Sequence, residues 1–185
     1  MQRALSTHAM VSCKRKRSWM ERVSSRKALM KNLSEAITKY AIFRGMKPEH
    51  FAILAEGAKE IEFNPGDLVF REGTPANQFF LIESGGVVLE AHEPSDGTIA
   101  VQSLSPGEVF GWSWLFPPFT WHFQARATEP TKVIALSGAR LLVTAERNCE
   151  FGYELMKRMA QVVIRRLQAT RRQLLALQAE SAVEN

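Results

Sequence analysis

Leu104-Ser105-Pro106-Gly107-Glu108-Val109-Phe110-Gly111-Trp112-Ser113-Trp114-Leu115-Phe116-Pro117-Pro118, running on through Trp121 to Ala127, is the stretch on which the reading of the chain turns. Pro106-Gly107 marks a β-turn, because proline presets the second turn position and glycine readily takes the positive φ of the third. A short apolar piece then reaches Gly111, aromatic residues crowd into one helical turn, and two prolines stop it. A strand is expected to resume at Trp121 and end at Ala127. Turn, short helix and strand in so few residues form a cassette able to wall a pocket.

On either side the texture is β. Ile61 to Phe63 ends at Asn64-Pro65-Gly66, Leu68 to Phe70 at Glu72-Gly73, and Phe79 to Ile82 at Ser84-Gly85-Gly86; Val87 to Ala91 ends at Pro94-Ser95-Asp96-Gly97, and Ile99 to Leu104 at Pro106-Gly107. With Trp121 to Ala127 and Lys132 to Leu136 this predicts seven or eight short strands, punctuated at roughly 8–12-residue intervals, as in a sandwich or jelly roll. Helices flank them. Leu33, Ala36, Ile37 and Tyr40 recur at helical spacing from Asn32, with Ser34 as candidate cap, and a second helix is expected from Pro48 to about Gly57. Ser137 is placed to cap a short helix through Arg147, and a long helix follows from Glu150 to Ala179.

Three ordered blocks are Phe63-x-Pro65-Gly66-x-x-x-Phe70-x-Glu72-Gly73, Phe80-Leu81-Ile82-x-x-Gly85-x-Val87 and Leu104-x-Pro106-Gly107-Glu108-x-Phe110-Gly111. Together they resemble the cyclic nucleotide-binding domain family, the Crp/Fnr-like sensor fold of bacterial regulators similar to catabolite activator protein. The resemblance covers residues 33–180. It implies a mainly β double-stranded β-helix, or jelly roll, with flanking helices and a long C-terminal dimerisation helix. On that basis residues 1–31 are a basic, disordered leader, 32–149 the barrel domain with its N-terminal helices, and 150–185 the dimerisation helix. The helix-turn-helix domain that follows in transcriptional regulators of the family is not among these residues.

Composition agrees with a globular chain: 185 residues, 45% hydrophobic and 23% charged, with no apolar run near the roughly 20 residues that cross a bilayer. Two distant cysteines, Cys13 and Cys149, fit a reducing cytoplasm. The net charge of +5 is uneven: residues 1–31 carry nine bases against Glu21 alone, leaving −3 for the rest. Any nucleic-acid contact is therefore expected to be weak, non-specific and confined to the leader.

The cassette departs from the family where polar ligands are held. Its binding members are implied to use a Glu after the second glycine for the ribose and an Arg about ten residues on for the phosphate. Here those positions are Trp112 and Trp121. Gly111, Ser113 and Trp114 could still offer backbone N–H groups to an anion, Arg126 is the nearest cation on the following strand, and His122 is a weak candidate. Thr170 stands at the position implied to contact the base. Trp112, Trp114, Phe116, Phe119, Trp121 and Phe123 form an aromatic cluster that either fills the cavity or receives a flatter, less charged ligand.

In the long helix Met156, Ala160, Val163, Leu167, Thr170, Leu174 and Leu177 alternate spacings of four and three, the seam of a parallel coiled coil. Six bases and no acid lie between Leu155 and Ala179, a solvated face or a dock for an acidic partner. His8, His50, His92 and His122 are scattered without a matching carboxylate, so no metal site or cupin-type enzyme is expected. Neither a nucleophile elbow, a P-loop nor a dinucleotide fingerprint is present, so no catalytic residue is assigned. Two functions stand: a homodimeric sensor that binds a cyclic nucleotide or other small molecule and signals through its C-terminal helix to a protein partner, or a ligand-independent dimerisation scaffold with a tryptophan-filled pocket.

Overall fold

The computed structural model describes residues 24–93 and 97–183, without the side chains of Glu93, Leu177 and 180–183. The segment 1–23, the turn Pro94-Ser95-Asp96 and the seam side chain Leu177 thus lie outside the described residues. Among the described residues eight strands form two four-stranded antiparallel sheets, the expected jelly roll. In chain order they are β1 (Lys59–Phe63), β2 (Leu68–Phe70), β3 (Gln78–Ser84), β4 (Val87–Glu93), β5 (Gly97–Leu104), β6 (Val109–Phe110), β7 (Gln124–Ala127) and β8 (Thr131–Ser137). One sheet has the order β1-β8-β3-β6, the other β2-β7-β4-β5.

The sheets differ in their outer faces. Phe79 to Ile82 of β3 and Val133 to Leu136 of β8 are buried without interruption, because Phe80 turns into the roll while Phe79 meets Trp114 beneath the helices. In β7 burial alternates, so Ala125 and Ala127 face inward and Gln124 and Arg126 face out. Inside, Phe80 stacks on Phe110 with centroids 5.0 Å apart, and Phe70 on Trp121 at 3.8 Å.

Among the described residues four α-helices flank the roll: α1 over 24–38, α2 (Pro48–Ala55), α3 (Gly138–Arg147) and α4 (Cys149–Val183). α1 begins at least eight residues before the expected start at Asn32, so Ser34 is interior rather than a cap and the 31/32 boundary falls inside the helix. Residues 24–31 nevertheless touch little, with only Met30 half-buried. Ser137 makes no side-chain capping bond. The effective cap is Asn148, whose Oδ1 accepts the Phe151 N–H at 3.0 Å and starts α4 after one non-helical residue.

α4 has two faces. Phe151, Leu155, Met159 and Val162 are buried against the rest of the fold. Arg158, also buried, donates to the Arg44 carbonyl at 3.0 Å and pairs with Glu154. The described seam side chains point away: Met156, Val163, Leu167 and Leu174 are all exposed, Leu167 by 68%. No helix among the described residues is long and apolar enough to cross a membrane.

Candidate functional site

The cassette starts where β5 ends. Glu108 N–H donates to the Ser105 carbonyl at 3.1 Å, and the Glu108 carboxylate accepts the Ser105 N–H at 2.8 Å, closing the turn over Pro106-Gly107. Gly107 has φ +85°, as the turn requires. Val109–Phe110 then forms β6 against Phe80 and Leu81 of β3, a strand too short for alternation to reveal. Gly111, at φ +81°, bends the chain away; a Cβ there would sit 3.1 Å from the rings of Phe80 and Trp121. Its glycine is needed for both backbone and space.

The helical turn is three residues of 3₁₀ helix, Ser113–Leu115. So short a turn aligns few peptide dipoles, and its amides attract an anion less than a full helix end would. Phe116 and Phe119 face solvent. The expected strand from Trp121 begins only at Gln124, because residues 119–121 bond instead to the loop at 73–76: Trp121 N–H donates to the Thr74 carbonyl at 2.9 Å, and its carbonyl accepts from Gly73 at 2.8 Å.

These elements wall a half-open cavity of about 140 Å³ lined by Phe70, Leu89, Gly111, Trp112, Ser113, Trp121, His122 and Phe123, the last two exposed at its mouth. Trp121, only 4% exposed, lies flat on Phe70 with rings inclined by 13° and forms the floor. The polar groups are Ser113 and His122, whose Oγ and Nδ1 are hydrogen-bonded at 3.1 Å. The lining contains no Lys, Arg, Asp or Glu. Sites for nucleotide-sized ligands hold roughly 300–1,000 Å³, so the indole of Trp121 occupies much of what would otherwise be open.

Gly111, Trp112, Ser113, Trp121 and His122 are therefore brought together, and three other residues proposed for the site are not. Trp114 is 1% exposed and packs against Gly138 and Phe79; it belongs to the core. Arg126 faces outward on β7, where Glu90 pairs with it at 3.3 Å and its Nη1 donates to the Gly66 carbonyl at 2.9 Å. It cannot serve as a substitute phosphate anchor, because strand alternation points it out of the roll. Thr170 is exposed on the seam face of α4 and does not line the cavity. Phe70 and Leu89 were missed in the sequence, since a pocket wall and an ordinary core position have the same inward, apolar pattern.

Arg166 was missed too, and it ties the cassette to α4. Its guanidinium lies 5.7 Å from the centre of the Trp112 ring, Nη2 donates to the Val109 carbonyl at 3.0 Å, and Glu108 stands 3.9 Å away. Burial pushes its pKa down and the Glu108 charge opposes that shift. The group stays a cation, since arginine is not deprotonated in proteins. A cation over an indole is attractive by about 0.5–2 kcal/mol, so Trp112 touches the pocket on one side and α4 through Arg166.

Comparison with known proteins gives likenesses that include the following. Residues 60–148 match the family model "Cyclic nucleotide-binding domain". A structure of a putative cyclic nucleotide-binding protein from Geobacter metallireducens is 33% identical, covering 72% of this chain and 96% of that one with a TM-score of 0.65. The CRP-like cAMP-activated global transcriptional regulator of Mycobacterium tuberculosis is 28% identical over 145 residues, 77% of this chain. The chain spans 62% of that regulator's length.

Proposed function

This chain belongs to the cyclic nucleotide-binding domain family, and from that premise we propose that it is a regulatory sensor which takes a compact, flat, weakly charged ligand in a diverged cassette and signals through α4. The observation that carries this reading is the cavity itself: two indoles, two phenyl rings and a Ser–His pair, with no charged side chain in the lining. Stacking area is large there and the hydrogen-bonding capacity small, which suits one or two fused rings with a polar edge. The relay is Trp112 to Arg166, because a ligand that shifts the indole alters the contact holding α4 to β6. α4 then acts within a cytoplasmic homodimer paired along Met156, Ala160, Val163, Leu167, Thr170, Leu174 and Leu177, and an unidentified protein reads its arrangement. The tryptophan-filled floor supports the second reading, a dimerisation scaffold that needs no ligand.

Cyclic AMP is expected to give no heat of binding by calorimetry at ligand concentrations up to the millimolar range. A phosphate charge buried without a cationic partner costs several kcal/mol, more than one 3₁₀ turn returns. Micromolar affinity would overturn the ligand class proposed here.

The relay is tested with spin labels on Cys149, the exposed free cysteine at the start of α4, in a Cys13→Ser background. Indole should raise the melting temperature and change the label-to-label distance across the dimer. Arg166→Leu should keep the thermal shift and lose the distance change. A thermal shift without any distance change in the unmodified relay would leave a binding pocket but no sensor. No response to any of a panel of flat heterocycles would favour the scaffold.

A further inference from the structure

α4 also borders a groove separate from the Trp121 cavity, with the cassette turn Gly107-Glu108-Val109 in its wall. It lies between α4 and β6, holds about 330 Å³, and is lined by Arg165, Arg166, Gln168 and Arg172, with Glu108 the one acid in its wall. That volume is within the range of small-ligand sites. Lys157 and Arg158 on the same helix pair with Glu154, whereas Arg165 and Arg172 have no carboxylate partner among the described residues. Arg166 spends one nitrogen on Val109 and leaves Nη1 buried without an acceptor. A buried guanidinium N–H is costly to leave unpaired, and a ligand oxygen reaching it from the groove would supply the missing acceptor.

We propose that this groove is a second ligand site, for the phosphate chain of a polyphosphate or nucleoside polyphosphate, gripped by Arg165, Arg166 and Arg172. Planar guanidinium forks bind phosphate oxygens in pairs. Arg165 and Arg172 are two helical turns apart, about 10.5 Å along the axis, a spacing that suits a row of anionic groups better than a single ion. Glu108 is held in place by Ser105 and opposes three cations with one charge. None of the seam residues lines the groove, so pairing along that seam would not use the groove's walls. The inference goes beyond the cassette reading and stands if that reading fails.

The test is calorimetric titration of the full chain with sodium tripolyphosphate, ATP and inorganic phosphate at about 0.1 M salt, where charges more than roughly 10 Å apart are screened. Tripolyphosphate should bind with a micromolar dissociation constant and inorganic phosphate far more weakly. Equal affinities for tripolyphosphate and ATP would place recognition in the phosphates, and a tighter ATP would add a contact to the nucleoside; both support the site. Arg165→Ala with Arg172→Ala should weaken tripolyphosphate by about tenfold or more, with melting unchanged because both side chains are exposed. Arg171→Ala removes the same charge from the same helix outside the groove, and should change affinity by less than about twofold. Glu108→Gln should tighten binding. Failure of both polyphosphates to bind, or a loss in Arg171→Ala equal to that of the groove variants, would show only diffuse attraction to a basic helix and overturn the proposal.

Discussion

Leu167→Lys combined with Leu174→Lys is expected to leave a monomer where the parent chain forms the proposed homodimer, read by light scattering at tens of micromolar. The two side chains stand one heptad apart and are exposed by 68% and 56% in the single chain. Covering a leucine is worth about 1.5–3 kcal/mol, so four leucines contribute much of what a seam of this length could supply. Lysine reverses the sign of that contribution. From Leu155 to Ala179 neither helix offers a carboxylate to pair with the new charges, and six bases already repel. The monomer should melt as the parent barrel does, because both side chains are exposed and lie outside the core cluster. A variant that remains dimeric would show that the seam lies elsewhere; a parent chain that is monomeric would remove the dimer altogether.

The second large effect concerns Trp121. Trp121→Ala should cost about 3–5 kcal/mol, the usual range for emptying a buried tryptophan site, and lower the melting temperature by roughly 6–20 °C for a chain of this size. The cause is loss of the stack on Phe70 and of the contacts with Phe80 and Gly111. Indole should restore part of the loss by occupying the vacated space, up to about 2.7 kcal/mol when present at 100 times its dissociation constant. Trp121→Phe should fall between. A loss below about 1 kcal/mol would mean that the indole does not fill the floor in solution.

Much of the fold was legible because turn chemistry and period-two patterning leave marks in a single sequence. Pro106-Gly107, Pro65-Gly66 and Gly85 punctuated the strands, and the four-three spacing after Leu155 marked a long helix. Places where tertiary contacts overrule local pattern were not legible. β6 has two residues and no period. Residues 119–121 look like strand but bond to the loop at 73–76, so β7 starts at Gln124. The start of α1 was placed too late because a basic, mostly exposed run from 24 onward lacks the apolar spacing that announces a helix.

The site was legible as a location more than as a set of side chains. Gly111, Trp112, Ser113, Trp121 and His122 meet as the cassette pattern implied, whereas Arg126 and Trp114 depended on which way a side chain points. For Arg126 the answer lay in the alternation Gln124-Ala125-Arg126-Ala127, where two alanines must face in. Trp114 is taken by α3, through its close approach to Gly138, a contact between segments more than twenty residues apart.

Trp121, lying flat on Phe70, can be regarded as a ligand already bound and tethered to its own receptor. A free molecule that takes over its position competes with a group on a short leash, whose effective concentration is millimolar or higher. The apparent affinity of such a molecule falls by the fraction of time the indole stands aside. A threshold of response would then be set less by the fit of the incoming ring than by the hydrogen bonds of Trp121 to Gly73 and Thr74, which hold the leash.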